Sequence, residues 1–397
     1  MRIVCFAEPL LTQRRYEPSS LLQTEERRLS GIHIEKLETY PFKIPLVRPF
    51  RIALETQTDY EGVLVRVELS DGTDGWGEAA PDLAITGDTW RTALTILENE
   101  IRPRAIGRDV FRFQDVWQEI DRAILGNPSA KAALDIAVHD ALSKHVGLPL
   151  NRFLGRGVDQ LETTQTVGLE DLKETVREAK ALRDSGVTRI KFKIGGEPRD
   201  DVERIRAVRD ELGDDFQITV DANQGYSIRQ AIYALKELDK FEIDFCEQPV
   251  HYRDLEGLAE VRRNSTIPIM ADECVHSPRD ALEVVKRRAA DMINIKLMKS
   301  GGILAARRIA AIAESADMPC MVGCMIETKV GIAAGCHFAA SERIVKFADL
   351  DSHTTLTVDP VKGGVDLKGS SERLMEGAGL GLSVDNAALQ ILMSRSR

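Results

Sequence analysis

From Thr164 onward the apolar positions gather into eight short runs: Thr164–Val167, Ile190–Ile194, Ile218–Asp221, Phe245–Glu247, Ile269–Asp272, Ile293–Lys296, Cys320–Gly323 and Val345–Asp349. Runs of this length without polar alternation suit strands covered on both faces. The stretches between them are long enough for one helix and two short loops, so the pattern predicts strand–helix alternation. Eight such units predict an α/β fold, a closed parallel barrel with its helices outside.

The first third of the chain follows other rules. Ile34–Tyr40, Val63–Leu69 and Trp76–Ala79 alternate in the manner of strands, and a Ser-Asp-Gly-Thr-Asp-Gly turn precedes the last of them. They predict an antiparallel meander. Helices are expected at Thr89–Ile101, Phe113–Ile124 and Ser129–His145, the last with Ser129 as its N-cap. The expected organisation is an extension over residues 1–31, an α+β domain over 32–155, a barrel over 156–360, and a Gly-rich segment over 361–397 that returns to the first domain. The extension is rich in Arg, Glu, Ser and Gln with little apolar period, and it reads as poorly ordered.

Composition narrows the function classes. At 397 residues and 43% hydrophobic content the chain can bury two cores. A net charge of −10 argues against a nucleic-acid partner, and no apolar stretch is long enough to span a bilayer. The six cysteines lack paired metal spacing and read as small core residues of a reducing compartment, so a cytoplasmic protein is expected.

Charged residues inside the barrel runs carry the chemistry. Lys191 and Lys193 occupy one face of a strand whose other positions are Ile190, Phe192 and Ile194. Burying two like charges side by side is costly and calls for compensation. It comes at regular intervals: Asp221, Glu247 and Asp272 end the next three runs, and Lys296 ends the one after, at spacings of 26, 25 and 24 residues. A single strand-end Asp is more often a helix cap than a ligand. Three acids at one phase of successive βα units, flanked by strand lysines, instead predict a cation site. Hard oxygen ligands suit Mg²⁺, one per site, with Mn²⁺ as a possible substitute.

These residues also carry a resemblance. The Lys-x-Lys strand, Asp221-Ala-Asn-Gln-Gly225, Glu247-Gln-Pro249 and Asn294-Ile-Lys-Leu-Met-Lys-Ser-Gly-Gly302 resemble the enolase superfamily, muconate-lactonizing-enzyme subgroup, over about residues 32 to 390. The resemblance implies a modified (β/α)₇β TIM barrel with an α+β capping domain. It implies Mg²⁺ held by Asp221, Glu247 and Asp272, with Lys191 facing a substrate carboxylate, and Lys193 and Lys296 as opposed bases. A lysine beside a second ammonium is expected to have a depressed pKa, which would let Lys193 act as a neutral base.

Within the subgroup, Ala84–Asp88 and Gly323–Lys329 are similar to dipeptide-epimerase sequences. Asp349 and Asp351 match an Asp-x-Asp that binds a dipeptide's α-ammonium, with loop capping as the competing reading. Thr166 and Cys324 are taken as further substrate-binding positions. Glu55 stands where epimerases acting on Ala-Glu carry an arginine, which predicts a dipeptide with Lys or Arg at its epimerised C-terminal position; a solvated loop glutamate is the plainer alternative. Three functions stay open at this point. They are dipeptide epimerisation, another subgroup activity (muconate cycloisomerisation, o-succinylbenzoate synthesis or N-acylamino-acid racemisation), and a non-catalytic binding barrel. A homo-oligomer is expected by analogy.

Overall fold

The computed structural model describes residues 31–214 and 216–395. All of the expected extension but Gly31 lies outside the described residues. The chain opens with an antiparallel meander of β1 (Ile34–Arg51), β2 (Thr56–Leu69) and β3 (Asp74–Ala79), in that spatial order. β1 is far longer than Ile34–Tyr40. It runs on through Pro41 and Pro45 because β1 is an outer strand, where proline does not interrupt a ladder on both sides.

The helix Pro128–His145 lies against β3 at unusually close range. Ala130, Ala132, Ala133, Ala137 and Ala141 are all buried, and a side chain on Gly75 or Gly77 would overlap the carbonyls of Ala137 or Ala133. Small residues on both partners let a helix backbone rest on a strand backbone. Ser129 is not the N-cap of this helix. Asn127 holds that place in a left-handed conformation at φ 53°, and Pro128 takes the first turn, where its missing N–H costs nothing. The Ser129 hydroxyl instead donates to Asp88 Oδ2 at 2.5 Å, tying the helix to the loop after β3. The helix expected at Thr89–Ile101 is capped by Thr89 and runs Trp90–Ile96, then continues as a π-helical turn over Leu97–Ile101.

Eight parallel strands follow: Gln165–Val167, Arg189–Lys193, Gln217–Asp221, Ile243–Glu247, Ile269–Ala271, Met292–Lys296, Cys320–Gly323 and Val345–Asp349. Each of the first seven leads into a helix. The sheet closes where Thr163 bridges Ala348 in parallel and the Thr164 N–H donates to the Ala348 carbonyl at 3.0 Å. Alternation along the strands divides the barrel interior into layers. Phe245, Met270, Met292 and Met321, with Phe347 against them, form an apolar floor. Two residues further along each strand stand Glu247, Asp272, Asn294, Gly323 and Asp349. Polar chemistry therefore begins one layer above a dry floor, at the carboxyl ends of the strands.

After the eighth strand, Val361–Gly363 pairs with Leu382–Val384, and the hairpin Val365–Lys368/Ser371–Leu374 extends Gln160–Glu162. The final helix, Asn386–Arg395, packs on β1. Among the described residues no helix is long and apolar enough to cross a membrane. The close approach of β3 to its helix yields a first prediction. Gly77→Ala should lower the unfolding free energy by about 1–3 kcal/mol through overpacking, read as a lower denaturant midpoint with an unchanged slope.

Candidate active site

The register of neighbouring strands sets the charged residues side by side. Lys193 pairs with Asp221 across the second and third strands, and Asp221 with Glu247 across the third and fourth. Lys191, Lys193 and Lys296 are 3%, 6% and 4% exposed, so their charges must be met within the protein. Lys193 Nζ lies 2.6 Å from Asp221 Oδ2, and Lys296 Nζ lies 2.9 Å from Asp272 Oδ2. Lys191 donates to Asp349 and stands 3.6 Å from Glu247 Oε2 and 3.8 Å from Asp221 Oδ2. Lys193 and Lys296, on the second and sixth of eight strands, belong to opposite sides of the barrel mouth.

Lys299 is a fourth buried ammonium, one that sequence reasoning passed over. It bonds to the Asp272 carbonyl and Oδ1 and, at 3.3 Å, to the Asn294 carbonyl. Its place three residues after Lys296, in the short helix Leu297–Ser300, turns it back toward the fifth strand. Burial works against the Asp272 carboxylate, yet Lys296 and Lys299 together hold its pKa well below the usual range. Glu247 behaves oppositely. Burial, with Asp221 beside it, pushes Glu247 well above that range. For Lys296, burial disfavours the charge, but Asp272 and Glu247 outweigh it and raise the pKa above the ordinary lysine value.

Several buried acceptors at the ends of strands three to six lack any hydrogen-bond donor: Asn223 Oδ1, Glu247 Oε2, Glu273 Oε2 and Asn294 Oδ1. Burial and Asp272 also push Glu273 up to about 7. Among the described residues no three His, Cys, Asp or Glu side chains stand gathered as a finished metal cluster, because the lysines hold the acids. The donor set is nonetheless all oxygen, rich in acceptors and short of cations, and it fits a hard divalent ion such as Mg²⁺. Backbone strain is concentrated here as well. Asn223, Gln224 and Gln248 take φ of 37°, 66° and 31°, conformations that cost roughly 1–3 kcal/mol each outside glycine. The Gln248 carboxamide holds this turn, accepting from the Asp272 N–H at 3.0 Å and donating to the Val250 carbonyl at 2.9 Å.

Above the acids a narrow cleft, partly open to solvent, is lined by Lys191, Lys193 and Lys296 and by Glu55, Thr166, Cys324, Asp349 and Asp351. The structure thus gathers every substrate-facing residue singled out in the sequence. Asp349 Oδ1 accepts from the Thr164 hydroxyl at 2.6 Å and the Thr166 hydroxyl at 3.3 Å, while Asp351 Oδ2 accepts from the Thr166 N–H at 2.7 Å. Burial opposes the Asp349 charge but Lys191 brings its pKa below the ordinary value; burial and Asp349 push Asp351 up to about 7. Burial raises the Cys324 thiol well above its usual value, so it offers a neutral wall.

Glu55 has company that its sequence context concealed. Gln57 Nε2 donates both to Glu55 and, at 3.0 Å, to Asp82 Oδ2, so two carboxylates converge on one amide at the capping side of the cleft. Burial and Asp82 push Glu55 up to about 7. Asp82 sits in a turn whose backbone it organises, and no strand or helix period marks such a residue beforehand.

Comparison with known proteins agrees with this geometry. Residues 36–155 match the mandelate racemase/muconate lactonizing enzyme N-terminal domain, and residues 174–388 match the enolase C-terminal domain-like family. The L-Ala-D/L-Glu epimerase of Bacillus subtilis is 39% identical over 352 residues, 88% of this chain and 96% of that protein. Its substrate-liganded structure superposes with a TM-score of 0.87, covering 88% of this chain and 98% of that one. The L-Lys-D/L-Arg epimerase of Methylococcus capsulatus is 35% identical over 340 residues, 85% and 95% of the two chains. The dipeptide epimerase of Enterococcus faecalis, solved with Mg and L-Leu-L-Tyr, is 38% identical, covers 89% and 99% of the two chains and gives a TM-score of 0.86.

The unmet acceptors predict a measurable linkage. Mg²⁺ at a hundredfold excess over its dissociation constant should stabilise the fold by about 2.7 kcal/mol. Thermal melts with and without Mg²⁺ check this, and Glu247→Gln should lose most of the metal-dependent increment.

Proposed function

The chain belongs to the mandelate racemase/muconate lactonizing enzyme family of enolase-like proteins, and on that footing we propose that it is a Mg²⁺-dependent dipeptide epimerase acting on cationic dipeptides. It inverts the α-carbon of the C-terminal residue by passing a proton between two lysines. The observation that carries this reading is the placement of Lys193 and Lys296 on opposite strands of one barrel mouth, above a shared group of acids.

An α-proton next to a carboxylate resists removal because the product carries a second negative charge on an already anionic group. Asp221, Glu247 and Asp272 would hold Mg²⁺, which when bound supplies positive charge for the substrate carboxylate as that charge builds. Lys191, a buried ammonium at the same level, adds a fixed N–H donor. In one direction Lys193 accepts the α-proton on one face while Lys296, kept protonated by Asp272 and Glu247, returns a proton on the other. In the reverse direction the roles exchange. Inversion follows because donor and acceptor face each other across the bound carbon.

Asp349 and Asp351 supply the recognition that this function adds to the family's common machinery. Two buried acids on the eighth strand and its following turn suit a substrate α-ammonium. Glu55 and Asp82 support a Lys or Arg side chain at the epimerised residue, since an Ala-Glu substrate would set a third carboxylate against the pair. Overall identity does not choose among substrates, because relatives named for Ala-Glu and for Lys-Arg are both similar to this chain.

Incubation of a dipeptide library with enzyme and Mg²⁺ in D₂O should place deuterium at the C-terminal α-carbon, with kcat/KM for L-Ala-L-Lys or L-Ala-L-Arg at least about tenfold above that for L-Ala-L-Glu. Equal or better turnover of L-Ala-L-Glu rejects the cationic assignment; N-succinyl-lysine turning over in place of free dipeptides would favour N-acylamino-acid racemisation. A pH series tests the acidic pair. Glu55 is protonated below about 7 and ionised above it. KM for a cationic dipeptide should therefore fall as pH rises from 6 to 8, and Glu55→Gln should flatten that dependence.

A further inference from the structure

Glu78, on β3, lies wholly buried at the seam between the capping strands and the barrel. Four donors converge on its carboxylate. Oε1 accepts from the Tyr60 hydroxyl at 2.5 Å and the Thr328 N–H at 2.8 Å, and Oε2 accepts from the Thr328 hydroxyl at 2.7 Å and the Gly331 N–H at 2.8 Å. Three of these four come from the start of the barrel helix Lys329–Ser341, whose N-cap is Thr328. A carboxylate from one domain thus satisfies the free amides, and meets the positive end, of a helix in the other. Gly331 makes the approach possible, since a side chain there would collide with Glu327 and crowd Glu78 Oε2.

This joint stands between two walls of the cleft. Four residues after Glu78 the chain reaches Asp82 and then Ile85, and two residues before Thr328 stands Ile326, preceded by Met325; all four line the cleft. Each wall is braced on itself. On the capping side the Asp82 carbonyl accepts from the Thr86 and Gly87 N–H groups at 2.8 and 2.9 Å, and Asp82 Oδ1 from the Ala84 N–H at 2.8 Å. On the barrel side Glu327 Oε1 accepts from the Met325 N–H at 2.8 Å, while its own N–H donates to Ser352 Oγ at 3.1 Å. Two stiff loops joined at one buried carboxylate can shift relative to each other only if that joint yields.

We propose that Glu78 is a positioning residue that sets the distance between the capping and barrel walls of the substrate cleft, and through it the fit of the bound substrate. Not every cross-domain contact reaches the cleft: Asp135 caps the helix Ile303–Ser315 through the Ile303 N–H at 2.5 Å, and neither residue lines the cleft.

Glu78→Gln preserves shape but turns an NH₂ toward a donor, so one bond across the seam is lost and a repulsion replaces it. Amide hydrogen exchange of the full-length protein, without substrate, should rise about tenfold in both 81–88 and 324–328. KM should rise about tenfold with kcat changed less than about threefold, because uniform binding is lost and the lysines are untouched. Exchange rising in neither or only one of the two segments overturns the proposal, as does a lowered unfolding midpoint with KM unchanged. If Glu78→Gln does not fold, Thr328→Val, which removes one crossing donor, is read by the same criteria. The KM arm rests on the epimerase reading; the exchange arm does not, and decides the matter alone if no dipeptide is turned over.

Discussion

The interaction on which the molecule depends is the mutual neutralisation of buried lysines and buried acids at the carboxyl ends of the barrel strands. Lys191, Lys193, Lys296 and Lys299 would each be prohibitively costly in a dry interior, and so would Asp221, Glu247, Asp272 and Asp349. Placed against one another they become tolerable, but the match is incomplete. Acceptors outnumber donors, Glu247 is left with an oxygen unmet, and its pKa climbs accordingly. The same imbalance suits this group of oxygens to a hard divalent cation such as Mg²⁺.

Much of this was legible in the sequence because strand geometry imposes two simple periods. Side-chain alternation forced Lys191 and Lys193 onto one face, and the length of a βα unit brought Asp221, Glu247, Asp272 and Lys296 to one level. Where neither period operates, the sequence was mute. Lys299 reaches its partners from a single helical turn after the strand, and Asp82 joins Gln57 and Glu55 only because the loop after β3 folds against the start of β2.

Local rules failed where tertiary contacts outbid them. Ser129 has the residue type of a helix cap, yet its hydroxyl is drawn to Asp88, and Asn127 in a left-handed conformation begins the helix instead. The strand expected over Ile34–Tyr40 continues through Pro41 and Pro45, which an edge position tolerates. Glu78 shows the same limit at longer range. Nothing within ten residues of it indicates that two of its three partner residues, Thr328 and Gly331, stand some 250 positions away, at the head of a barrel helix.

The floor of the barrel has a further consequence. Phe245, Met270, Met292, Met321 and Phe347 stop up the end of the barrel remote from the lysines. The Lys193 and Lys296 ammonium groups are thereby sealed from beneath, and hydrogen on them meets bulk solvent only from the side on which the cleft opens.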